Sequence, residues 1–145
     1  SGVKHIVSLR GDPPEGLGGA YVPRALATED TDWHLDRLYD FAAELGASVL
    51  TPQVSRYVID LNRPPDDAPM YPGASNTELC PTRFFNGTPL YQAGAEPSAQ
   101  ERLRRRATYW QPYHDALRNE LARLKAELRT RSVAETRPSI NHTFL

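Results

Sequence analysis

Thirteen prolines in a chain of 145 residues set the first constraint on its fold. Most of them fall between Pro64 and Pro97. A proline has no backbone N–H to donate and its φ is fixed, so it is excluded from helix interiors and central strands. The segment is therefore either an ordered, irregular loop or a disordered one, and regular structure is expected on either side of it. Loops of this length, when ordered, are usually lids or binding loops. Within it, "PMYPGASNTELCPTRFFNGTPLY" (Pro69 to Tyr91) mixes turn residues with aromatics, and "NGTPLY" reads as the close of a small hairpin.

Ahead of the loop, "HIVSL" (His5 to Leu9) reads as a first strand, followed by the turn chemistry of "RGDPPEGLGG". "TEDTDWHLDRLYDFAAELGA" (Thr28 to Ala47) has helical spacing at Leu38, Phe41, Ala42 and Leu45. Asp30 or Thr31 would cap that helix and Gly46 would stop it. "SVLTP" and "RYVIDL" (Arg56 to Leu61) read as two short strands, the second β-branched and aromatic.

Beyond the loop, Ser98 with Glu101 is a capping box. Leu103, Ala107, Trp110, Leu117, Leu121, Leu124 and Leu128 then keep a helical rhythm to about Arg131. His114 fills the beat between Trp110 and Leu117 and so points to the core side. Pro112 would kink the helix there. The order strand, helix, strand, strand, loop, helix predicts a single α/β domain over 1–145, a mixed sheet flanked by helices.

The 17 basic residues nearly cancel the 18 acidic ones. A nucleic-acid partner, which needs a basic excess, is not expected. The one basic run, "RLRRR" (Arg102 to Arg106), reads as a solvated helix face. A single cysteine, Cys80, rules out a disulfide within the chain and reads as an inert thiol. No stretch is long and apolar enough to span a membrane, and there is no signal-peptide pattern at the N-terminus. A soluble, cytoplasmic protein is the expectation.

Chemistry concentrates around "SRYVIDLNRPPDD" (Ser55 to Asp67). On a strand, Arg56, Asp60 and Asn62 would share one face, with Arg63 at the exit. Two arginines and an asparagine would clamp a carboxylate, because a guanidinium presents a fork of donors matched to carboxylate oxygens. An internal Arg56–Asp60 pair explains the same spacing, and spacing alone does not separate the two. "EDTDWH" gathers Glu29, Asp30, Asp32 and His34, a set that could hold a metal, although acids at a helix start are more often caps. HExxH, CxxC and glycine-rich phosphate-loop motifs are absent.

"DTDWHLDRLYDFAAELGA", "SRYVIDLNRPPDD", "MYPG", "LCPTRFFNGTPLY" and "RRRATYWQPYHDALRNELARL" together closely resemble the N-formylglutamate amidohydrolases of histidine degradation. The resemblance runs from about Thr28 to Leu128 and corresponds to roughly the front half of that family's domain. It implies a fold similar to zinc carboxypeptidases and aspartoacylases, and hydrolysis of N-formyl-L-glutamate to glutamate and formate. It also implies a zinc-activated water attacking the formyl carbon, and a small dicarboxylate substrate. By similarity to the "RYI…DLNR"-like strand of aspartoacylases, Arg56, Asn62 and Arg63 are the expected substrate-binding residues. Asp30 and Asp32 lie in a matching block and are the candidate metal ligands. No residue is assigned a catalytic role.

The sequence also departs from the family. A "PHSG"-like turn with a metal histidine is expected after the first strand, where this chain reads "SLRGDPPEG". A "WDAHS"-like strand with a second histidine is expected after the long helix, where it reads "RSVAETRPSINHTFL". Two expectations follow. The chain is a truncated relative without the usual metal site, at most a small-carboxylate-binding module, or a remodelled site uses Asp32, His34 or His114. The first is preferred.

Overall fold

The computed structural model describes residues 19–27, 29, 30, 34–52, 54–69 and 76–135, the side chains of Asp36 and of residues 131–135 excepted. The expected strand His5–Leu9, the Thr31 cap, Asp32, the "MYPG" turn and the C-terminal tail beyond Glu135 lie outside these residues. The helices are α1 (Leu35–Leu38), α2 (Ala99–Arg105) and α3 (Gln111–Glu135), with short 3-10 turns at Pro23–Ala27 and Asp40–Ala42.

The α2 and α3 helices are joined by a π turn at Arg106–Trp110, giving one nearly continuous rod. Ser98 caps its start by accepting the Glu101 N–H at 3.1 Å, which removes one of the orphan donors of a first turn. Glu101 turns its own carboxylate to Arg104 and Arg105. The π turn answers the Pro112 problem. A proline ring clashes with the carbonyl four residues back, and the wall just ahead of it opens so that the Gln111 N–H bonds the Arg106 carbonyl. The expected kink is thus absorbed as a widened turn.

The region read as one helix from Thr28 to Ala47 is regular only in pieces. Helix termini cost more than short helices return, so an amphipathic helix depends on packing its apolar face. Leu38, Phe41 and Leu45 are exposed instead. The stop falls at the expected glycine: Gly46 has φ 71°, Ala47 N–H bonds Ala42 O and Gly46 N–H bonds Ala43 O, a Schellman arrangement.

The expected α/β architecture, a mixed sheet flanked by helices as in zinc carboxypeptidases and aspartoacylases, is contradicted. Among the described residues there is no strand element; pairing is limited to isolated antiparallel bridges, Tyr21 with Tyr91 and Arg83 with Pro89. The physical reason is visible at Arg56–Leu61. Val58 N–H bonds Ser55 O at 2.9 Å, which bends the segment into a turn. Burial does not alternate either, since Tyr57, Val58, Ile59 and Asp60 are all buried. A half-buried strand requires period two. The segment instead threads between two small cores and is covered on every side.

One core gathers Tyr21, Ala25, Tyr57, Phe84, Leu90 and Tyr91. The other gathers Val58, Ile59, Leu79 and Cys80, with Tyr109 and Trp110 of the π turn against it. The residues around Asn86-Gly87 fold back tightly, with Phe84 N–H on Thr88 O and Leu90 N–H on Thr82 O, both 2.9 Å.

Candidate functional site

The loop leaving the two cores carries the cluster of Arg56, Asp60 and Arg63. Arg56 donates through Nη2 to Asp60 Oδ2 at 2.8 Å. Arg63 approaches the same oxygen, with Nε 3.6 Å away, too far for a hydrogen bond. Arg63 donates through Nη2 to Thr77 Oγ1 at 3.0 Å, and Arg56 reaches that hydroxyl at 3.5 Å. The Arg63 Nε is buried and has no hydrogen-bond partner among the described residues. The guanidinium of Arg56 lies 4.2 Å from the centre of the Phe85 ring, a cation–π placement that fixes its plane. Side-chain exposure is 23% for Arg56, 14% for Arg63 and 9% for Asp60.

Two cations thus share one carboxylate, which leaves one positive charge over within this group of three. A buried donor without a partner is costly, and for the Arg63 Nε the Asp60 carboxylate at 3.6 Å is the compensating charge. The arrangement can hold a carboxylate. Asn62 sits between the two arginines in sequence; its side chain is exposed and its N–H bonds Asp60 Oδ1 at 3.0 Å. The structure therefore brings Arg56 and Arg63 together on Asp60 and places Asn62 at the rim of the same loop.

Of the two metal candidates, only Asp30 lies among the described residues. Asp30 accepts the Phe85 N–H through Oδ2 at 2.9 Å, and its own N–H bonds the Tyr57 hydroxyl. Asp32 lies outside the described residues. His114 is tied to the Leu61 carbonyl. Cys80 is buried, and burial pushes its thiol up to about 11, away from the thiolate that metals and catalysis need. Among the described residues no group of three His, Cys, Asp or Glu side chains could hold a metal ion.

Three participants escape a reading of the sequence. Thr77 carries no local signal; only the folded loop puts it against both arginines. Arg105 belongs to the run read as solvated, yet it is 1% exposed. It donates to Val58 O and the Tyr91 hydroxyl, both at 3.0 Å, and to Glu101 at 2.9 Å. The Tyr91 hydroxyl in turn bonds that of Tyr21. Trp110, expected as core, donates its indole N–H to Arg63 O at 2.9 Å.

The family model of N-formylglutamate amidohydrolase matches residues 10–142. An N-formylglutamate deformylase of Pseudomonas aeruginosa is 58% identical over 106 residues, 73% of this chain and 40% of the relative. One of Pseudomonas putida is 52% identical over 106 residues, 73% of this chain and 39% of the relative. The chain therefore spans about two fifths of the length of these curated relatives. No solved structure matches it significantly. No helix among the described residues is long and apolar enough to cross a membrane.

Proposed function

This chain belongs to the N-formylglutamate amidohydrolase family, and we propose that it acts on N-formyl-L-glutamate, supplying the carboxylate-binding part of a deformylase site. In the overall reaction water adds to the formyl carbon, the amide C–N bond breaks, and glutamate and formate leave. The observation that carries the reading is the convergence of Arg56 and Arg63 on Asp60 and Thr77, with one positive charge over and a buried Arg63 Nε unpartnered. A dicarboxylate substrate complements that charge. Arg56 and Arg63 bind a substrate carboxylate, Asn62 adds a neutral donor at the rim, and Asp60 orients Arg56 through its 2.8 Å bond.

Zinc, the histidine-degradation role and a cytoplasmic site of action come with the family resemblance. The roles proposed for Arg56, Asn62, Arg63 and Asp60 are roles in binding. A second reading is a chain that holds the substrate without cutting it. Formate release from N-formyl-L-glutamate, followed with and without added zinc, separates the two. Formate production supports the deformylase. Thermal protection by N-formyl-L-glutamate without formate supports the binding module. Neither turnover nor protection would overturn both.

A further inference from the structure

The exposed Asn62 sits on a backbone that is held on both sides. The Leu61 carbonyl is 3.0 Å from His114 Nε2, and the Arg63 carbonyl accepts the Trp110 indole N–H at 2.9 Å. A carbonyl oxygen only accepts, so His114 carries its proton on Nε2. The two rings are themselves stacked, 3.9 Å between centroids at 27°. They are one turn apart, on the same side of the rod, where the π turn meets α3. On the other flank, Asp60 takes the Asn62 N–H on its carboxylate and the Arg63 N–H on its carbonyl, both at 3.0 Å.

Leu61 and Arg63 are partly buried on either side of the exposed Asn62, so their carbonyls need partners from the protein, and the two aromatic tips supply them. That satisfaction alone could come from any donor. What they add is geometry: a stacked pair is stiffer than either ring alone, and it fixes the peptide planes from which Asn62 and Arg63 project. We infer that Trp110 and His114 are positioning residues for the substrate-binding loop, setting where Asn62 and Arg63 meet a substrate carboxylate. The inference rests on the proposed binding of N-formyl-L-glutamate.

Calorimetric titration of the 145-residue chain with N-formyl-L-glutamate and with its α- and γ-monoamides tests it, alongside thermal unfolding. His114→Leu and Trp110→Phe each weaken N-formyl-L-glutamate binding on the order of tenfold, as expected for one lost oriented hydrogen bond. Both reduce the preference for the dicarboxylate over one of the monoamides. A merely structural role would lower the melting temperature and leave that preference intact. His114→Gln, whose amide N–H reaches a similar point, restores both affinity and preference. Arg63→Ala is the reference. If it abolishes binding while His114→Leu and Trp110→Phe keep normal affinity and preference below their melting temperatures, the positioning role is overturned and the binding site stands. If Arg63→Ala binds normally, or the unsubstituted chain does not bind, the binding site itself is overturned and the positioning role with it.

Discussion

Arg105 shows how much a single side chain can organise in a lean core. Its guanidinium bonds a backbone carbonyl of Val58, the Tyr91 hydroxyl and Glu101, and thereby joins the helical rod to both apolar clusters. Removing it leaves the buried Val58 carbonyl without its donor, at a cost of about 1–3 kcal/mol, while Glu101 keeps Arg104. Arg105→Met is therefore expected to lose that much in urea unfolding. Arg105→Lys is expected to recover only part, because an ammonium cannot reproduce the fork that reaches three partners at once. The Arg104 guanidinium beside Glu101, together with that of Arg105 and against the opposing effect of burial, holds the Glu101 carboxyl down to about 2. A carboxyl lowered on folding contributes stability that is full above its unfolded value of about 4.3 and lost as pH falls toward the folded one. Urea midpoints measured between about pH 5 and pH 2 should fall more steeply for the natural protein than for Glu101→Gln. An equal slope would show that the pair does not couple to folding. In the sequence nothing marks Arg105 off from its neighbours, since four arginines in five positions look alike until the fold selects one.

At the scale of elements, the same residue explains where periodicity misleads. The helical rhythm from Leu103 to Leu128 assumes one unbroken α-helix, but a π turn inserts an extra residue into the wall and shifts the phase of everything before it by about 100°. Projected back from α3, the apolar face lands on Leu103, which is 63% exposed, while Arg105 is buried. The long helix and its Ser98 cap are legible because capping and helical spacing are local. The strands are not, because pairing is decided by a partner: Arg56–Leu61 has β-branched composition, but prolines remove donors around it and its neighbours wrap it instead. Along α3, ties to the rest of the described chain are concentrated near its start at Trp110 and His114, with Ser48 meeting Glu120 and Arg123 further on. Beyond these, Arg123–Glu127 is an ion pair within the helix, worth only about 0.2–0.5 kcal/mol. Hydrogen exchange should therefore be slowed at 113–120 by at least about tenfold relative to 126–135, where opening is local. Uniform protection along α3 would mean that the distal half is packed as firmly as the first.

For the molecule as a whole, the chemistry of the loop is more legible than its architecture. Two arginines, an Asp and an Asn within eight positions mark an internal ion pair or a carboxylate clamp whatever backbone carries them, and the folded loop gathers Arg56, Asp60 and Arg63 around an Arg56–Asp60 pair. The architecture depends on apolar faces finding partners, and several do not find them among the described residues. Leu117, Leu121 and Leu128 are 36%, 48% and 66% exposed, and their spacing puts them along one side of α3. An apolar stripe of this kind binds hydrophobic dyes and promotes association. The double variant Leu121→Lys/Leu128→Lys is expected to bind less anilinonaphthalene sulfonate and to sediment with a lower weight-average mass at high concentration. Its stability should stay within about 0.5 kcal/mol of the original, because exposed positions contribute little to folding. Because the stripe lies on the rod beyond Trp110 and His114, these changes should leave binding of N-formyl-L-glutamate unaltered. A variant that lost dye binding and ligand binding together would show that the distal half of α3 and the arginine loop are coupled, and that the rod transmits more than it supports.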